Sequence, residues 1–209
     1  MKKSETIKLT TTAIFTAILV LMAFTPLGYL KTGGLEISFS MIPVALGAML
    51  LGPACGAILG AVFGITSFIQ CFGMSAFGAA LLGINPFLTA AVCIIPRTLM
   101  GWLTGLIFNA IQKGVSSSQH RSVKFLPYIV SSLAAPILNT LLFMTTLCVC
   151  FYNTDFIQDL ANNMNSGNVF MFVILFVGIN GLIEAIVSAV ICIPASKALG
   201  HVYGRILSK

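Results

Sequence analysis

The stretch FLTAAVCIIPRTLMGWLTGLIFNAI, Phe87 to Ile111, decides how this chain is read, because it is apolar from end to end and carries a single charge, Arg97, near its centre. A helix needs roughly 20 apolar residues to cross the hydrocarbon of a bilayer, and this run supplies them. A guanidinium in the middle of such a span costs about 3 kcal/mol on insertion scales, so it must face protein, water or a bound molecule rather than lipid. No acidic residue lies near it in sequence. Arg97 is therefore a candidate anion-binding group.

The rest of the chain has the same character. With 58% hydrophobic and 8% charged residues and a mean hydropathy of +1.04, its 209 residues carry more apolar surface than a water-soluble domain of this size can bury. The hydropathy pattern predicts one transmembrane domain over 1–209, all-α, a bundle of six helices with spans at about 9–26, 41–52, 54–72, 86–112, 125–151 and 168–196. The first apolar run is too long for the core of a signal peptide and reads as the first span. Nine of the eleven basic residues (Lys2, Lys3, Lys8, Lys113, Arg121, Lys124, Lys197, Arg205, Lys209) fall in segments 1–8, 113–124 and 197–209. The opposite connections hold Lys31 with Glu36, Asp155 and Asp159. The positive-inside rule then places both termini in the cytoplasm, and the basic isoelectric point becomes a mark of topology rather than of a nucleic-acid partner.

Catalytic constellations are missing. The sequence has no His-Glu-x-x-His, no Gly-x-Ser-x-Gly and no phosphate-binding loop, so it is not expected to be an enzyme or to hydrolyse ATP itself. Cys55, Cys71, Cys93, Cys148, Cys150 and Cys192 are scattered through apolar stretches without a Cys-x-x-Cys or paired histidines, and read as small buried hydrophobes. No metal or cofactor is expected. A substrate-binding subunit, an ion-coupled secondary transporter or channel, and a membrane-embedded structural partner remain.

Small residues mark where helices approach closely. Gly52, Gly56, Gly60 and Gly64 form a ridge on the third span, read as a packing seam or, alternatively, as a groove facing a ligand; Gly101 and Gly105 repeat the spacing on the fourth. Ala13 and Ala17 give a small patch on the first. At 1.5 Å per residue, Arg97 and Asn180 lie about 16 and 18 Å from the outer ends of their spans and Asn139 about 21 Å from the inner end of its own, which puts them in one layer. Glu184, one turn from Asn180, is a possible partner of Arg97. Toward the outside, Tyr29 sits in Gly28 to Ser40, a segment whose alternation predicts a short hairpin, while Gln70 and Asn85 flank an uncharged connection read as a loop folded over an opening. The expected pocket is floored by Arg97, with Asn139, Asn180, Asn85, Glu184, Gln70 and Tyr29 as substrate-binding candidates. Its ligand would be a small carboxylate bearing hydroxyl or amide groups.

Taken together, Pro43 to Pro53 with the glycine ridge after it, Pro96-Arg97-x-x-x-Gly101, Leu138-Asn139-Thr140 and Asn180-Gly181-x-x-Glu184-Ala185 resemble the substrate-binding S components of energy-coupling-factor (ECF) vitamin transporters. The likeness covers nearly the whole chain. It implies a subunit of the bacterial cytoplasmic membrane that captures a vitamin from outside and joins a transmembrane T subunit and two cytoplasmic ATPases. It also implies a docking role for Ala13 and Ala17 on the T subunit. Thr25-Pro26-Leu27-Gly28, Pro96-Arg97 and Asn139-Thr140 are most similar to pantothenate-type members, with riboflavin or a thiamine precursor as alternatives.

Overall fold

A computed structural model describes residues 3–25, 28–32, 35–115, 125–164, 166 and 168–208. The sequence readings on Lys2, Pro26, Leu27, Gly33, Gly34, Arg121, Lys124 and Lys209 lie outside the described residues, as do the side chains of Tyr29, Lys31, Glu36 and Asn180.

Among the described residues eight helices and one hairpin follow in order: α1 (Lys3–Ala23), β1 (Tyr29–Thr32), β2 (Leu35–Ser38), α2 (Met41–Leu51), α3 (Pro53–Gln70), α4 (Ala76–Ile84), α5 (Pro86–Val115), α6 (Leu126–Phe151), α7 (Asp155–Asn163) and α8 (Val169–Ser208). The strands pair antiparallel with Lys31 opposite Glu36, and the amide of Phe39 donates to the carbonyl of Gly28 to close the base of the hairpin. The hairpin expected from alternation is thus present. α4 corrects the reading of the connection from Gln70 to Asn85 as a loop. Its first turn is capped by Ser75, whose Oγ accepts from the amide of Gly78.

Among the described residues, α1, α3, α5 and α6 are each long and apolar enough to cross a membrane. The chain is a multi-pass membrane protein. Large apolar side chains such as Ile14, Ile18, Ile65, Ile95, Trp102 and Leu141 stay exposed along these helices, as surfaces against lipid require. α2 differs. At 11 residues it is too short to span alone, and ten of them are buried, so protein surrounds it on every side. It stops at Gly52, whose φ of 97° lies in the left-handed region that only glycine enters without strain, and Pro53 begins α3 immediately.

Contacts between helices fix their directions. The ends of α1 and α3 meet where Gln70 Nε2 donates to the carbonyl of Ala23. Gly56 faces Gly101, Gly60 faces Arg97 and Gly64 faces Cys93 and Ile94, so α3 and α5 run antiparallel with their backbones in contact. Arg97 lies against Phe143, and Phe108 against Tyr128, which makes α5 and α6 antiparallel; Ser132 meets Ser188 and Thr140 meets Gly181, which does the same for α6 and α8. The hairpin, α4 and α7 consequently gather at one end of the bundle, called the distal end below. Of the two readings of the glycine ridge, the packing seam is the one observed. Gly52 is corrected out of it: a Cβ there would touch nothing, and its place is the break between α2 and α3.

The core has two parts. One surrounds α2 and includes Phe15, Leu19, Val44, Leu59, Phe63 and Met100. The other lies distal to it, where Leu81, Val92, Leu147, Phe151, Ile157 and Phe172 bind α4 and α7 to the ends of α5, α6 and α8.

Candidate ligand-binding site

Pro96 organises the surroundings of Arg97. A proline inside a helix has no N–H to give to the carbonyl four residues back, so Val92 O loses its ordinary donor. Arg97 supplies the replacement: its Nη1 donates to Val92 O at 3.0 Å and to Cys93 O at 3.1 Å. The guanidinium lies between two aromatic rings, 5.3 Å from the centre of Phe63 on α3 and 5.0 Å from that of Phe143 on α6. Two hydrogen bonds to a charged donor, at about 1.5–3 kcal/mol each, and two cation–π contacts of about 0.5–2 kcal/mol together offset the insertion cost near 3 kcal/mol without a ligand. Charge burial alone therefore does not require a guest.

What the arrangement leaves over is unsatisfied polar atoms, two of them on facing helices. Among the described residues Arg97 Nε is buried with no hydrogen-bond partner, and so is Oδ1 of Asn139 on the facing helix. Each such orphan costs about 1–3 kcal/mol. One is a donor and the other an acceptor. Asn139 stands one turn from Phe143, the ring against Arg97, and Thr140 beside it meets Gly181, the residue after Asn180. The backbones of Arg97, Asn139 and Asn180 thus lie within about a turn of one level. Glu184 is one turn farther from the distal end and 9% exposed. Among the described residues the hydrogen bonds of the Arg97 guanidinium go to backbone carbonyls, not to Glu184.

The distal candidates have local duties. Asn85 Oδ1 accepts from the amides of Phe87 and Leu88 at 3.0 and 3.2 Å, which makes it the N-cap of α5 with Pro86 in the first turn. It stands twelve residues before Arg97 on one chain, about 18 Å along the helix, so the structure does not bring the two together. Gln70 is buried and joins the ends of α3 and α1. Tyr29 lies on β1, at the base of the hairpin. Phe63 and Phe143 were not anticipated from the sequence; the available signal was an aromatic residue set between Gly60 and Gly64.

Residues 7–196 match the family described as ECF transporter, substrate-specific component. The chain belongs to that family. It is also similar to the pantothenate transporter PanT of Leuconostoc mesenteroides subsp. mesenteroides, 32% identical over 114 residues, which are 52% of this chain and 54% of the relative. The match thus spans about half the length of that curated relative. A substrate-specific component is the binding subunit of a transporter, not an enzyme; in this one Arg97 Nε on α5 and Asn139 Oδ1 on α6 are buried polar atoms without a partner among the described residues.

Proposed function

We propose that this ECF substrate-specific component binds pantothenate between α3, α5, α6 and α8 and delivers it for ATP-driven uptake. The carrying observation is the pair of buried orphans, Arg97 Nε and Asn139 Oδ1. A carboxylate satisfies the first, and a hydroxyl or amide N–H satisfies the second; pantothenate has all three groups. The name of the Leuconostoc relative supports this choice of substrate. The backbone of Asn180 stands at the same level, with Glu184 one turn beyond it, whereas Asn85, Gln70 and Tyr29 belong to the distal end, through which the vitamin enters.

The topology proposed with it is a bundle of six membrane-embedded helices, α1, α2, α3, α5, α6 and α8, in which the short, enclosed α2 carries the chain back from the distal end to the start of α3, with both termini in the cytoplasm of a bacterial cell and the distal end outside. The clustering of basic residues supports that orientation. Family membership supports a membrane T subunit and two ATPases as partners. Ala13 and Ala17 are exposed on α1, opposite its buried residues Phe15 and Leu19, which leaves them open for docking.

Mass spectrometry of small molecules copurifying with the detergent-solubilised protein, followed by equilibrium binding of labelled pantothenate, tests the substrate. Pantothenate is the expected guest. Binding of riboflavin or thiamine with no binding of pantothenate overturns the assignment.

A further inference from the structure

The cysteines read from sequence as inert small hydrophobes include two that the fold brings side by side. Cys71 ends α3 and Cys93 lies in α5, twenty-two residues apart in sequence, yet their sulfur atoms are 3.9 Å apart. Both are buried. We propose that they form a redox-closable clasp: oxidation joins Cys71 to Cys93, ties the distal ends of α3 and α5 together and pins α4, which lies in the loop so closed.

Three observations favour a clasp over simple packing. The Cβ direction on a helix leans toward its N-terminus, so Cys93 points toward the distal end, where Cys71 sits. Cys71 occupies the C-cap of α3, and Gly73 two residues on has a φ of 115°, so the backbone here is a turn that can yield the approach from 3.9 Å to a bonding distance of about 2 Å. Gly78 of α4 lies directly on Cys71, and a Cβ there would come 2.6 Å from its sulfur, so α4 is already packed against the pair.

The oxidant is a hydroperoxide. One cysteine, as thiolate, attacks a peroxide oxygen; the O–O bond breaks, hydroxide leaves and a sulfenic acid forms. The second sulfur attacks that sulfenic sulfur and water leaves. Two thiols and one hydrogen peroxide give one disulfide and two waters, with two electrons passing from sulfur to oxygen. On the orientation proposed above, the clasp faces the cell exterior, where disulfides persist; the chemistry itself does not depend on that reading.

The test uses the whole wild-type protein in lipid nanodiscs, titrated with hydrogen peroxide, quenched with N-ethylmaleimide under denaturing conditions and mapped by mass spectrometry. The expected product is a Cys71–Cys93 linked peptide pair, reversed by dithiothreitol, with a melting temperature raised by about 5 °C or more because the closed loop restricts the unfolded chain. In Cys71→Ser or Cys93→Ser both the product and the shift disappear. Alkylation of both thiols after peroxide, separate overoxidation of either one, or a linked pair that leaves the melting temperature unchanged or lower overturns the clasp. Whether pantothenate binds has no part in these readouts, so failure of the substrate assignment remains distinguishable from failure of the clasp.

Discussion

Arg97 has an observed structural role and a proposed ligand-binding one, and substitution can separate them. Removing it leaves Val92 O without a donor at the proline, so Arg97→Ala should lower stability by about 1–3 kcal/mol as well as abolish pantothenate binding. Restoring a backbone N–H through Pro96→Ala repairs the first loss only. The double variant Pro96→Ala/Arg97→Ala should therefore melt near the wild-type temperature while still failing to bind, as thermal melting and equilibrium binding will show; wild-type affinity in the double variant would refute a ligand-contacting guanidinium. Asn139 makes the complementary case. Its Oδ1 has no partner to lose among the described residues, so Asn139→Ala should leave the stability within about 1 kcal/mol of wild type while pantothenate affinity falls about tenfold or more. The importance of Arg97 was legible in the sequence because a lone charge in an apolar span stands out. Its bond to Val92 O was legible in principle too, four residues before Pro96. The flanking rings of Phe63 and Phe143 come from other helices, and no local pattern announces which aromatic residues will converge.

Among the elements, the glycines divide by what they do. A Cβ at Gly60 would run into the main chain of Arg97, so Gly60→Val should force α3 and α5 apart and cost more than about 3 kcal/mol, seen as lost monodispersity and a large fall in melting temperature. Gly52→Ala meets no atom and is opposed only by its positive φ, for a cost of about 1–2 kcal/mol. Gly83→Ala has open space in a helix and should stabilise by about 0.5–1 kcal/mol. An identical stability change at all three positions would refute this division. Spacing alone assigned Gly52 to the same ridge as Gly56, because a period of four says nothing about where a helix breaks. The hairpin was legible from alternation and its glycines. α4 was not: its run of alanine, leucine and glycine reads equally as a loop or a short helix, and the Ser75 cap became informative only once Gly78 was seen above it.

For the whole molecule, the proposed docking and capture surfaces are separate. Ala13 and Ala17 are exposed on α1, whereas the unsatisfied donor and acceptor lie on α5 and α6. Ala13→Leu/Ala17→Leu should thus bind pantothenate with unchanged affinity as an isolated subunit, yet fail to copurify with the T subunit and fail to support uptake in cells. Loss of binding in the isolated variant would show that the two surfaces are coupled. The membrane class was legible from composition because it rests on the total apolar surface. The roles of the distal residues were not, since helix ends must be capped and joined before any polar group there is available to a substrate; Asn85 and Gln70 are committed in this way.

Where two helices meet main chain to main chain, as α3 and α5 do from Gly56 to Gly64, they have no side-chain cushion to deform and must travel as a single slab. Any doorway for an arriving vitamin then has to be hinged elsewhere, on α6, α8 or the hairpin. Natural changes of substrate preference should accumulate on those movable walls, while the slab and the cation it carries are inherited intact.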